Sequence, residues 1–268
     1  MSEVQNEASV RVSRDGFVGI VEIDRPPFNF FDIMLIKEVA DIFEKLDSDT
    51  TCRSIVLCAR GKSFCAGADL GGKSNSLTKE FESNPARSDQ TYDLYNEALR
   101  LFSTHKPVIA AVHGAAIGGG LGLALAADFR ITCKEARFST NFNRMGFHPG
   151  FGLSATLPRL IGLQKASLLL YSGRRIGGEE AAAIGLADLL VEQTEVFAHA
   201  VKLALEIAAS APLAVASTRK TLRLELVKAV QRAMSHESDE QRWQFKTEDF
   251  KEGIAAMHER RLPIFNGR

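Results

Sequence analysis

Cysteine is scarce in this chain, and neither sign of charge prevails. The four cysteines, Cys52, Cys58, Cys65 and Cys133, show neither CxxC spacing nor histidine partners at metal-site distances. They predict small buried apolar residues and no metal site. Cys65 lies in a loop of functional character, but nothing nearby supplies the base a nucleophilic thiol needs. Lys plus Arg and Asp plus Glu number 33 each, so no global field draws nucleic acid, and no basic run interleaved with aromatics does so locally. No apolar stretch reaches the ~18 residues a bilayer span requires. The opening MSEVQNEASV lacks the basic segment and apolar core of a signal peptide, so the expected location is cytoplasmic. Gln/Asn-rich, Gly/Ser-rich and Pro-rich tracts are missing as well, which sets aside disordered and fibrous architectures.

What is present suits a large core: 268 residues, 45% hydrophobic and 25% charged. Val10–Arg14 and Val18–Asp24 are β-type runs around Asp15-Gly16, a dipeptide suited to a tight hairpin turn. Asp32 is placed to cap a helix in which Ile33, Ile36, Val39, Ala40, Phe43 and Leu46 recur at helical spacing. Ser54–Ala59 reads as a buried strand followed by the turn GKSFCAGADL. Val108–Val112 reads as a second one, leading into HGAAIGGGLGLALAADF. Strand, Gly-rich turn and helix thus occur twice, which predicts an α/β architecture with two backbone loops facing one site. Beyond about residue 160 the periodicity is mainly helical.

Gly118, Gly119 and Gly120 carry no side-chain chemistry but let a backbone approach a ligand closely. Because they precede LGLALAAD, their amides fall in the first turn of a helix, unpaired and at its positive end. Such donors suit an oxyanion. Gly-rich turns before helices also serve close packing or phosphate binding; two loops of this type, one carrying Ala-Gly-Ala-Asp, favour the catalytic reading.

FCAGADL at 64–70, KPVIAAVHGAAIGGGLGLALAAD at 106–128 and GFHPGFGLSATLPRLIG at 146–162 together closely resemble the three signature blocks of the crotonase (enoyl-CoA hydratase/isomerase) superfamily. SGRRIGGEEAAAIGLAD at 172–188 and TEDFKEGIAAMHERRLPIF at 247–265 add to the resemblance, which runs from about Val10 onward. It implies a spiral of ββα repeats with a helical C-terminal region: 1–200 as core with a CoA groove and oxyanion loops, 201–268 as a helical trimerisation region. It also implies an acyl-CoA thioester as substrate, CoA being part of the substrate and no separate cofactor, and assembly as a homotrimer or dimer of trimers. The oxyanion donors are then the N–H groups of Ala68 and Gly119. Ala66, Asp69 and Leu70 line the pantetheine and adenine groove beside Gly118, with Phe28 and Phe30 nearby.

The resemblance has departures. Hydratases of this family carry two glutamates, at positions matched here by Gly122 and Phe142, and related isomerases and dehalogenases place an aspartate at the position of Gly150. A substrate pocket bounded by Gly122, Phe142, Asn143 and Gly150 therefore lacks the usual acids and bases, and the glycine at 122 predicts room for a water or small anion. His148, in the turn before Pro149, becomes the candidate proton carrier, since imidazole ordinarily titrates near neutrality. Its alternative role is a backbone hydrogen bond at the turn, and His113 is expected to have that role. Asn143 and Arg144 could contact a polar acyl group, though Arg144 better suits a surface or subunit interface; Glu80, Glu82 and Asp89 could swing into the site, with a solvated loop face as their default place. The leading expectation is a lyase or isomerase acting through a thioester enolate. A C–C bond or thioester hydrolase using His148 and a non-catalytic acyl-CoA-binding protein are the alternatives.

Overall fold

The computed structural model describes residues 9–68 and 87–268, with side chains over the same range except 87–92. The chain opens as the expected hairpin, β1 (Val10–Asp15) pairing antiparallel with β2 (Val18–Ile23). Helix α1 (Ile33–Ser48) follows, capped by the Asp32 carboxylate, which accepts from the Leu35 amide at 2.8 Å. Its buried stripe is Leu35, Ile36, Val39, Ala40, Phe43 and Leu46.

The chain then alternates between two sheets. Strand β3 (Ser54–Ala59) leads to β4 (Ser63–Cys65), and after α2 (Arg87–Ser103), β5 (Val108–Val112) leads to β6 (Ala115–Ile117) and α3 (Gly119–Ala126). Next, β7 (Phe129–Thr132) leads to β8 (Arg137–Ser139), a 3-10 turn (Asn141–Met145), α4 (Leu153–Ile161) and α5 (Leu163–Ser172). Strand β9 (Arg175–Gly177), α6 (Gly178–Ala183) and β10 (Leu189–Leu190) complete the sheets: β1-β2-β3-β5-β7-β10 and β4-β6-β8-β9. Strands β3, β5 and β7 of the first sheet each hand the chain to a short strand of the second, which is the ββα spiral expected. The first sheet is parallel beyond its opening hairpin because each crossover returns the chain to the same end of the sheet before the next strand begins.

Three helices close the described chain: α7 (Val196–Ala208), α8 (Pro212–Gln244) and α9 (Glu248–Glu259). Helix α7 packs across β3, β5 and β7, so the expected division at residue 200 falls inside one helix of the core. Helix α8 lies on α2 and α4. It is tied down by charge: Asp128, before β7, accepts from the Val108 amide and pairs with Arg219 and Arg223, each at 2.8 Å. Burial pushes the Asp128 carboxyl up, but the two guanidinium groups outweigh it and hold the carboxyl below its ordinary range. All four cysteines are buried and free, and burial raises the Cys65 thiol to about 12. No single helix among the described residues is long and apolar enough to cross a membrane.

Candidate active site

The two Gly-containing loops leave adjacent strands. β4 and β6 pair in parallel, with Cys65 opposite Ala116, so Ala68 and Gly119 each stand three residues past a matched position (65 to 68 and 116 to 119). Gly67 comes within reach of the other loop: a Cβ on it would sit 3.1 Å from the Ile117 carbonyl, and its φ of +106° suits glycine.

The two amides at these loop ends are held differently. Phe31 forms a parallel bridge to Ala68, donating its N–H to the Gly67 carbonyl at 3.0 Å. In that pairing the residue opposite Phe31 turns its own N–H to the other side. Gly118 takes φ +56° and ψ −122°, and its carbonyl accepts from Leu121 and Gly122, so the Gly119 amide precedes the first bond within α3. Among the described residues, no acceptor takes the N–H of Ala68 or of Gly119. Both N–H groups are left as potential donors, with the helix dipole adding to Gly119.

Two buried rings enclose the start of α3. A Cβ on Gly119 would lie 2.4 Å from Phe31 Cζ and 3.4 Å from Phe151 Cδ2, and Phe31 and Phe151 meet edge to face at 5.6 Å. A Cβ on Gly122 would lie 2.7 Å from the Phe151 Cβ and ring. The expected room for a water or anion beside Gly122 is therefore absent here: the Phe151 side chain occupies it. Gly150 is crowded likewise, its Cβ position 1.8 Å from the Tyr95 hydroxyl. That hydroxyl donates to Gln241, whose amide donates to the His148 carbonyl. Phe142 is buried, with ring atoms 3.6 and 3.7 Å from the Gly118 Cβ position, and meets Phe147 edge-on. Asn143 is half-buried, its carbonyl accepting from Gly146.

His148 is half-buried, and its described contacts run to α8 and along its own turn. Its amide donates to Gln244 at 2.5 Å, and its ring stands edge-on to His236. Its Nδ1 lies 2.7 Å from the Pro149 carbonyl. A carbonyl only accepts, so Nδ1 carries the proton and Nε2 is left as the basic nitrogen. His113 meets the Gly61 carbonyl through Nε2 at 3.1 Å, the turn-stabilising role expected of it. Arg144 is exposed and donates to the Ser172 carbonyl. Asp69, Leu70, Glu80 and Glu82 lie outside the described residues, as does the Asp89 side chain.

Phe28 and Phe30 are 46% and 38% exposed and pack on each other at 5.6 Å. The Ala66 amide donates to the Phe28 carbonyl, which joins this aromatic pair to the 66–68 loop. Fully buried Asn29 anchors the segment by donating to the Arg60 and Ser63 carbonyls. Beyond the residues singled out by sequence, the structure adds Phe31, Tyr95, Asn141, Phe151 and Glu237. Asn141 Oδ1 is buried without a partner among the described residues and lies 3.3 Å from the Gly118 Cβ position. Among the described residues no cluster of His, Cys, Asp or Glu is arranged to hold a metal ion.

Two mixed sheets wound in ββα turns and closed by C-terminal helices define a crotonase-type α/β protein. Residues 14–268 match the family model described as enoyl-CoA hydratase/isomerase, and the chain belongs to that family of acyl-CoA enzymes, whose members are lyases and isomerases. It is 34% identical over 260 residues to a probable enoyl-CoA hydratase of Bacillus subtilis, covering 97% of this chain and 99% of that one. It is 30% identical to the carnitinyl-CoA dehydratase of Escherichia coli K12, across 97% and 99% of the two chains. Among solved structures it resembles an enoyl-CoA hydratase/isomerase from Pseudoalteromonas atlantica, with TM-score 0.83 and 28% identity over 97% of this chain and all of the other.

Proposed function

We propose that the protein binds an acyl-CoA thioester with its carbonyl oxygen between the Ala68 and Gly119 amides and carries a lyase or isomerase reaction through the resulting enolate. The observation that carries this reading is the matched pair of amides, three residues beyond the paired positions Cys65 and Ala116. The thioester oxygen gains negative charge when an α-proton leaves, so donors fixed at that oxygen favour the transition state over the ground state. Phe28 and Phe30, exposed and joined to the same loop through Ala66, suit the adenine ring of CoA, with Ala66, Asp69, Leu70 and Gly118 along the groove.

The reaction differs from hydration by two glutamates, because the positions that resemblance assigns to those carboxylates are Gly122 and Phe142. Packing supports this: Phe151 fills the side of Gly122, and Tyr95 fills that of Gly150. His148, with Nε2 as its basic nitrogen, is the proposed proton carrier. Assembly into trimers would cover apolar side chains exposed along the C-terminal region, among them Leu213, Leu222, Leu262 and Ile264.

The test is incubation of purified protein with crotonyl-CoA and a panel of longer and branched acyl-CoAs, following thioester absorbance and products by mass spectrometry. Conversion abolished by Gly119→Pro, which deletes the donor, supports the reading. Binding without conversion across the panel sinks it in favour of a non-catalytic acyl-CoA-binding protein.

A further inference from the structure

We propose that Phe151 is a specificity-determining residue, a wall that bars substituents near the β-carbon of the acyl group, and that Glu237 is the residue that positions it. The inference rests on the acyl-CoA reading above and concerns the shape of the acyl group accepted.

A thioester oxygen held by the Gly119 amide puts the first acyl carbons at the opening turn of α3. Gly119 and Gly122, three apart, share one face of that helix. Phe151 closes this face, its side chain 2.7 Å from the Gly122 Cβ position and its ring 3.4 Å from that of Gly119. The ring is 1% exposed and braced edge-on by Phe31.

Phe151 also takes φ +60°, a region that a residue with a Cβ resists. Such a conformation persists only where the surroundings over-determine it. The neighbouring turn does so. Glu237 of α8, fully buried, accepts from the Gly152 amide at 2.8 Å, the Ser154 amide at 3.0 Å and the Ser154 hydroxyl at 2.6 Å. On the other side, Tyr95 and Gln241 pack against Gly150. A buried carboxylate with three donors on one short turn gives the ring a single position. Its removal would open a space where the family resemblance places a catalytic side chain.

The experiment compares wild type, Phe151→Leu and Phe151→Ala on straight-chain and β-branched enoyl-CoAs, with calorimetric binding of matched non-reactive acyl-CoA thioethers in parallel. The ratio of branched to straight, in kcat/KM and in affinity, is expected to rise roughly tenfold or more in Phe151→Ala, with Phe151→Leu between, since a methylene or two has that effect in an apolar pocket. Affinity for CoA itself stays constant. Glu237→Gln, which turns one accepting oxygen into a donor, is expected to move the same ratio in the same direction, which a purely structural role would not do. An unchanged ratio in folded Phe151→Ala, or in Phe151→Leu should the alanine variant not fold, overturns the proposal. Wild type that binds thioethers but turns over nothing refutes the reaction reading, while a shifted binding ratio still supports the wall.

Discussion

The Cζ of Phe31 lies 2.4 Å from the point where a Cβ on Gly119 would sit. The same residue bridges Ala68 through its backbone, so one aromatic touches both loop ends. Phe151, whose Cδ2 is 3.4 Å from the same point, meets Phe31 edge-on, so two packed rings crowd the position. Gly119→Ala therefore forces a shift where the first turn of α3 meets the Phe31 ring, and is expected to turn the amide off line. We expect kcat to fall by roughly 10²–10³-fold, the usual effect of losing one oxyanion donor, with CoA affinity near wild type. Steady-state kinetics with calorimetry checks this, and full activity in the folded variant would refute the assignment.

His148→Gln keeps a polar side chain at the turn but removes the basic Nε2. Because the backbone of His148 is held by Gln241 and Gln244, the turn should survive. kcat is expected to drop by about 10²–10⁴-fold with little change in KM, the range for losing a general acid or base. Unchanged kinetics would move the proton-transfer role to another group.

Phe28→Ala removes half of the exposed aromatic pair beside the 66–68 loop. Stacking of a base on an aromatic ring contributes about 1–3 kcal/mol, so the dissociation constant for CoA should rise on the order of tenfold. The affinity of dephospho-CoA should weaken in parallel, since the adenine is common to both. An effect confined to kcat would contradict an adenine site there.

Asp128 makes stability depend on pH in a definite direction. Its carboxyl is held below the ordinary range by Arg219 and Arg223 against the opposing effect of burial. Its contribution is therefore complete above the unfolded value of ~3.9 and is lost as pH falls through the lower folded value. Melting temperature should be insensitive to this group at neutral pH and decline below about pH 4. Asp128→Asn strands two guanidinium groups and should cost about 3–5 kcal/mol at pH 7, flattening the acid limb. Thermal melts across pH read both.

Much of the fold was legible because its signals are local. Asp32 before an apolar stripe, and the strands at 54–59 and 108–112, announce themselves by residue type and period. β9 and β10 do not, since strands of three and two residues carry no period and lie in a region that otherwise reads as helix. Ala68 and Gly119 were singled out by motif resemblance, and the pairing of β4 with β6 brings their loops side by side. What fills the space beside them was not. Gly122 alone suggests a void; the ring that occupies it comes from a distant turn. Glu237 stands in SHESDEQ, a run whose polarity suggests solvent, yet it is buried on a helix packed against α2 and α4.

The proposed donors are also held differently. Gly119 opens a helix embedded in the core and crowded by two rings, whereas Ala68, packed against the core edge, is bridged to Phe31 among the described residues. In the proposed site Gly119 would therefore be the fixed member of the pair. On the proposed reading it would set the angle at which a thioester carbonyl approaches.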